Sequence, residues 1–310
     1  MNYFLFILIH NILPVFCVIG LGFTIHKKFQ LDIRSLSKIT FYAFVPALIF
    51  VKIYETNIHL DLLKAIGFTA VFLLVQGLST HVITRQLKYQ PALKNAVKNS
   101  VMFYNSGNYG LPLIELIFMG SPVANLAISV QIMVLMVQNF STNTLGFYQA
   151  GSGQLGPKKT LKVILGMPAI YALTLALFFK QIPYDLHHFP LWPALIYLKN
   201  GLIPVALLTL GVQISRTKLD IHRPDVYIAS FIRLILGPCI GYILIQFIGI
   251  TGTMAQVLFI STALPSAVTT ALVAVEFDNE PDFASQMVLT TTLLSSITMT
   301  IVIALAFKLF

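Results

Sequence analysis

Long apolar runs alternate along the chain with short segments of charged residues, prolines and glycines. Bounded by charges, prolines and glycines, they predict helices at 3–25, 34–54, 60–83, 95–119 and 122–149. After a polar, Gly-rich segment from Gly151 to Lys159, further runs predict helices at 160–179, 190–214, 224–248, 254–276 and 283–308. A bilayer-crossing helix needs about 20 mostly apolar residues, so the expectation is an all-α integral membrane protein of about ten transmembrane helices. Tyr3 to Ile25 is too long for the core of a signal peptide and lacks its basic start and small-residue cleavage pattern, so it reads as the first span.

Composition closes off the soluble alternative. Hydrophobic residues make up 57% of the 310-residue chain and charged ones 10%, with a mean hydropathy of +0.83, where a soluble domain carries about 25% charged residues. The net charge of +9 does not point to nucleic acid, because the bases sit in short segments between apolar runs, where they set membrane orientation. Most of the 20 Lys and Arg fall in alternate loops, among them Lys27, Lys28, Arg85, Lys88, Lys158, Lys159, Arg216 and Lys218. By the positive-inside rule those loops are cytoplasmic, which places both termini outside, in a bacterial cytoplasmic (inner) membrane. Cys17 and Cys239 lie inside apolar runs with no metal or redox spacing, so buried packing is their expected role. No phosphate loop, nucleophile elbow or zinc-protease motif occurs, and neither an enzyme nor a bound metal or cofactor is expected.

Five helices, a cytoplasmic link and five more place the second half upside down relative to the first. The expected organisation is two inverted five-helix repeats, 1–150 and 160–310, joined by a linker at 151–159.

Two spans carry the chemistry. The fourth contains Asn105-Ser-Gly-Asn-Tyr-Gly-Leu-Pro112, and the ninth, at the corresponding place in the other half, contains Thr262-Ala-Leu-Pro-Ser-Ala-Val-Thr-Thr270. Proline lacks an N–H and clashes with the carbonyl four residues back, and each glycine costs about 1 kcal/mol relative to Ala, so both spans should break near mid-membrane. Broken helices offer half-helix N-termini, whose free N–H groups and positive dipole ends suit an anion, while freed carbonyls and side-chain oxygens suit a cation.

These segments, with Phe44-Val-Pro-Ala-Leu-Ile-Phe50, Pro204-Val-Ala-Leu-Leu-Thr-Leu-Gly211, the spacing of Arg233 and Pro238, and Met287-Val-Leu-Thr-Thr-Thr-Leu-Leu-Ser295, resemble the auxin efflux carrier family over the whole chain. That family includes plant auxin exporters and bacterial malate or malonate permeases. The resemblance implies a fold like that of the bile-acid symporters, with broken helices 4 and 9 crossed. The short link at 151–159 is similar to the compact bacterial branch, and the family's anion-holding asparagines match Asn105 and Asn108.

The expected function is therefore a secondary active transporter of a small organic anion, a mono- or dicarboxylate similar to malate or malonate or an auxin-like acid, working by alternating access and proton-coupled or electrogenic, with Na+ the coupling ion of the alternative reading. Its partners would be the bilayer and that anion, with a homodimer left open. The expected anion site is Asn105, Asn108, Gly110 and Pro112 facing Pro265, Ser266, Thr269 and Thr270. Glu115, three residues past Pro112, is a candidate for the coupling proton or for an ordinary solvated carboxylate near the outer end of its helix. Gln131 is a cavity candidate, as are Gln138 and Asn139, although amides in membrane helices more often hold helices together. Arg233 sits about 12 Å into its span, deep enough to be a coupling or cavity candidate and shallow enough to snorkel to the interface, and snorkelling or a structural pair is its favoured role. The competing readings are a sodium-coupled organic anion symporter of the bile-acid type and a non-transporting membrane sensor.

Overall fold

A computed structural model describes residues 8–55, 62–151, 166, 168–183, 185–216, 220 and 222–310. The described residues are helical, with no strand among them and one isolated β-bridge. In chain order the α-helices are α1 (Leu13–Phe29), α2 (Ile33–Ile39), α3 (Val45–Glu55), α4 (Leu62–Gln86), α5 (Pro91–Met102), α6 (Leu111–Ile117), α7 (Ala124–Ser141), α8 (Phe147–Ala150), α9 (Pro168–Phe179), α10 (Trp192–Arg216), α11 (Pro224–Phe231), α12 (Gly237–Ile248), α13 (Gly252–Thr262), α14 (Val268–Glu276) and α15 (Pro281–Leu309). Single π-helical turns at Thr142–Gly146 and Ile232–Leu236 join α7 to α8 and α11 to α12 without ending the rod.

Five of these rods are long and apolar enough to cross a membrane: Leu62–Gln86, Ala124–Ala150, Trp192–Arg216, Pro224–Ile248 and Pro281–Leu309. They coincide within a few residues with the predicted third, fifth, seventh, eighth and tenth spans. The predicted fourth and ninth spans are each broken into two shorter helices. Residues 3–7 of the first predicted span, 160–165 and 167 of the sixth, and 152–159 of the linker lie outside the described residues.

Two packing groups follow from the contacts. In one, α1 lies along α10, and α3 packs on both α9 and α10. The first pair is fixed by glycine: a Cβ on Gly211 would lie 1.9 Å from the Ile19 carbonyl oxygen, and one on Gly22 would lie 2.2 Å from that of Leu208. Backbone meets backbone there with no room for a side chain, the small-residue contact typical of membrane helices. In the other group, α4, α5, α7, α12, α13, α14 and α15 surround the two breaks. Cys17 and Cys239 do not pack inside. Both are free and exposed on outward faces of α1 and α12, among the apolar side chains that a membrane helix turns toward lipid.

Candidate functional site

The fourth span ends its first helix at Met102 and runs extended through Phe103, whose φ and ψ are −100° and 114°. Asn105 then starts a new helical segment as its N-cap, its side-chain oxygen accepting the Asn108 N–H at 3.1 Å. A π-helical turn, Ser106–Gly110, leads into α6, where Pro112 falls in the first turn. The sequence expectation of a clash at Pro112 is therefore corrected. The chain has already broken before the proline, which stands where its missing N–H costs nothing and opens the next helix. In the ninth span the break covers Ala263 to Ala267, and Pro265 lies within it.

The breaks lie side by side as a minimal antiparallel pair. The Asn105 N–H donates to the Pro265 carbonyl at 2.8 Å, the Ala267 N–H donates to the Phe103 carbonyl at 2.9 Å, and Tyr104 opposes Ser266. Each break thus satisfies backbone groups that the other exposes, which membrane interiors demand. Neighbouring helices supply further bonds. Ser266 Oγ donates to the Ser100 carbonyl at 2.6 Å, and its N–H donates to Thr291 Oγ1 at 3.1 Å. Gln131 Nε2 donates to the Ser106 carbonyl at 2.9 Å and Gln131 Oε1 accepts from Ser261 Oγ at 2.6 Å. Gln138 Oε1 accepts the Tyr104 N–H at 3.3 Å. Gly110 is glycine for clearance, since a Cβ there would meet Gln131 Nε2 at 2.6 Å and Leu264 Cδ1 at 2.7 Å.

Arg233 does not snorkel. It is 0% exposed, and its guanidinium donates to the Val101 carbonyl at 2.8 Å and, in a short contact, to the Thr262 carbonyl. Those carbonyls lie at the C-terminal ends of α5 and α13. The same guanidinium lies 4.8 Å from the ring centre of Tyr104 and 5.6 Å from that of Phe72, within cation–π range.

Beside the paired breaks is a cavity of about 50 Å³, space for about three or four waters. Its polar lining includes Asn105, Asn108, Gln138, Asn139, Thr142 and Thr269, and its apolar wall includes Val45, Leu135 and Leu272. Of the residues expected from sequence, the structure brings Asn105, Asn108 and Thr269 to this cavity. Gly110, Pro112, Pro265, Ser266 and Thr270 shape or brace the backbone around it, and the Thr270 hydroxyl is spent on the Ala267 carbonyl at 2.6 Å. Gln131 packs, as amides in membrane helices commonly do, whereas Gln138 and Asn139 line the cavity. Glu115 is half-buried on α6 away from it, within electrostatic reach of Lys52, whose ammonium donates to Asn125 Oδ1 at 3.2 Å. Among the described residues no group of three or more His, Cys, Asp or Glu could hold a metal ion.

Two donors in this cavity are unspent. Asn105 is 5% and Gln138 2% exposed, and each gives its oxygen to a backbone N–H, which fixes the orientation of its amide. Asn105 Nδ2 is consequently left buried without a partner, and Gln138 Nε2, which has the Tyr104 hydroxyl as a polar neighbour, makes no hydrogen bond within 3.5 Å. The N-terminus of α14 opens onto the same cavity through Val268 and Thr269, and Ala267 before it offers no side-chain cap. Two residues with unpartnered NH2 groups and the positive end of a helix thus border one cavity that has no cation in its lining.

The family described as membrane transport protein matches residues 7–152 and 155–303. The chain belongs to this family. It is also 27% identical over 159 residues to an uncharacterized transporter of Methanocaldococcus jannaschii, covering 49% of this chain and 51% of that one, so it spans about half of that relative. An uncharacterized transporter of Methanothermobacter thermautotrophicus is 22% identical over 297 residues, covering 93% of this chain and 95% of the other. The paired breaks combine irregular backbone with buried polar residues, among them Asn105, Ser106, Ser266 and Thr270, a combination that membrane interiors rarely hold.

Proposed function

We propose that this transporter is a secondary carrier of a small organic anion, a mono- or dicarboxylate, whose carboxylate sits in the cavity beside the paired breaks. One observation carries the proposal: two buried amide NH2 groups, on Asn105 and Gln138, have no hydrogen-bond partner, and both residues line the same small cavity as the uncapped N-terminus of α14. Leaving a buried donor unmade costs about 1–3 kcal/mol, and an ionised acceptor removes that cost twice while making charge-assisted bonds. Asn108 and Thr269 complete the polar side, and the apolar wall would face the body of the substrate.

The architecture that goes with this reading is ten spans in two inverted halves, 1–150 and 160–310, with helices 4 and 9 crossing at their breaks and both termini outside a cytoplasmic membrane. The contacts favour such symmetry. The first span packs on the seventh (α1 on α10), and the counterpart exchange, sixth on second, is the contact of α9 with α3. Coupling to H+ through Glu115, or to Na+ through hydroxyls and carbonyls near the breaks, belongs to the same proposal.

The test is thermal stabilisation of the detergent-purified chain by malate, malonate, lactate, succinate, indole-3-acetate and a neutral control, each with and without sodium. A ligand that binds the folded state at 100 times its Kd stabilises by about 2.7 kcal/mol. Stabilisation by a carboxylate that disappears in Gln138→Leu supports the anion site, and dependence on sodium selects the sodium-coupled alternative. No shift with any anion in folded protein refutes the proposal.

A further inference from the structure

Resting on the anion reading for its second half only, we infer that Arg233 is the positioning residue of this transporter. Its guanidinium ties the two breaks into one body, and its charge is the fixed positive charge behind the anion cavity. Helices α5 and α13 each end at a break, leaving C-terminal carbonyls without intrahelical donors and two negative dipole ends close together. One side chain answers both: Nη1 takes the Val101 carbonyl and Nη2 that of Thr262. The planar fork of arginine suits two acceptors at once, which a lysine ammonium reaches less well. Space is reserved for it on α12, where a Cβ on Gly237 would lie 3.0 Å from the Thr262 oxygen and 3.2 Å from Nη2.

The charge is as informative as the bonds. Among the described residues Arg233 has no carboxylate within ion-pair distance, and its Nε has no hydrogen-bond partner. A buried charge is normally paired. Here two carbonyls and two aromatic faces solvate it in part, and Tyr104, 4.8 Å from the guanidinium, is itself a wall of the cavity. Since Tyr104 lines the cavity and Arg233 does not, an anion bound beside Asn105 and Gln138 would complete the charge balance from across that residue without touching the arginine.

Brace and charge separate in variants of the full chain. Hydrogen exchange of the peptides covering 103–108 and 263–270 reads the brace without any ligand, and a malonate titration reads the charge. In Arg233→Lys, which keeps the charge and loses the fork, the Asn105 and Ala267 amides should exchange about tenfold faster or more. Malonate binding should weaken less in Arg233→Lys than in Arg233→Met, where a loss of about a hundredfold is expected. Arg223→Gln, which removes a peripheral arginine paired with Asp225, should leave both readings unchanged and controls for general loosening. Gly237→Ala, which crowds the fork by a few tenths of an ångström with every charge intact, should raise exchange at the same two amides and serves if the Arg233 variants do not fold. Unchanged protection in both Arg233→Lys and Gly237→Ala overturns the brace. Equal malonate affinity in Arg233→Met and wild type overturns the charge role. If wild type binds none of the panel anions, the proposed function falls with the charge half while the exchange measurement still decides the brace.

Discussion

Asn105→Asp separates the two jobs that one side chain performs. The Oδ1 atom caps the new helical segment by accepting the Asn108 N–H at 3.1 Å, while Nδ2 is the unpartnered donor. Aspartate is isosteric, keeps the cap and replaces the donor with a second carboxylate oxygen. Loss of one hydrogen bond to a charged group costs about 1.5–3 kcal/mol, or about ten- to a hundredfold in affinity. Repulsion between like charges in a cavity of about 50 Å³ adds to that, so carboxylate binding should fall by more than about a hundredfold. Asn105→Ala loses the cap as well, for about 1 kcal/mol of stability, and should show both a lower melting temperature and weaker binding. The assay is isothermal titration of the purified protein with the stabilising carboxylate, beside thermal melts of the unliganded variants. If Asn105→Asp binds the anion as tightly as wild type at neutral pH, Nδ2 does not face the ligand and the anion site is misplaced.

Other outcomes follow from contacts already described. Gly211→Ala should lower the melting temperature by an amount corresponding to about 1–3 kcal/mol, because its Cβ would press on the Ile19 backbone, whereas Gly20→Ala, with nothing within 4 Å of the new Cβ, should be neutral or slightly stabilising in the same melt. Gly110→Ala should destabilise wild type by driving a Cβ toward Gln131 Nε2 and Leu264, but cost less in a Gln131→Ala background, a non-additivity that a double-mutant cycle of thermal melts reads directly. Asp185, outside the spans, is held below its ordinary value of 3.8 chiefly by the His187 N–H and then by the His187 ring. That contribution is complete above the ordinary value and is lost as pH falls through the lowered one. Since the His187 ring lies 4.5 Å from Trp192, the single tryptophan of the chain, its fluorescence should change in that acid range in wild type and stay flat in Asp185→Asn.

The sequence made the breaks legible because Gly, Asn and Pro in mid-span have few compatible membrane structures. It could not tell which polar groups near a break are spent and which are free. Ser266 and Thr270 look like ligand hydroxyls, yet both bond to backbone carbonyls, a habit of hydroxyls in helices that leaves no trace in spacing. Gln131 and Gln138 stand seven apart on one face of α7 and both hold the 104–106 backbone. That heptad spacing was the available signal, but only the partners reveal that Gln131 is saturated and Gln138 is not. Arg233 was the least legible. Its acceptors lie 132 and 29 residues away in the chain, and depth along a single helix says nothing about orphan carbonyls on two others.

The glycine seam between α1 and α10 limits what kind of motion this protein can use. Gly22 sits under the Leu208 carbonyl and Gly211 under that of Ile19, so the two helices interlock like a pair of detents. Sliding one along the other by a turn, about 5.4 Å, would bring residues that share the face and carry side chains, such as Leu207 or Ile214, onto the carbonyl that Gly211 now meets. A shift of that size along this seam is opposed in both directions, which favours the pair moving as one unit. Any rearrangement that opens the cavity must pivot on contacts elsewhere, where side chains rather than main chains meet.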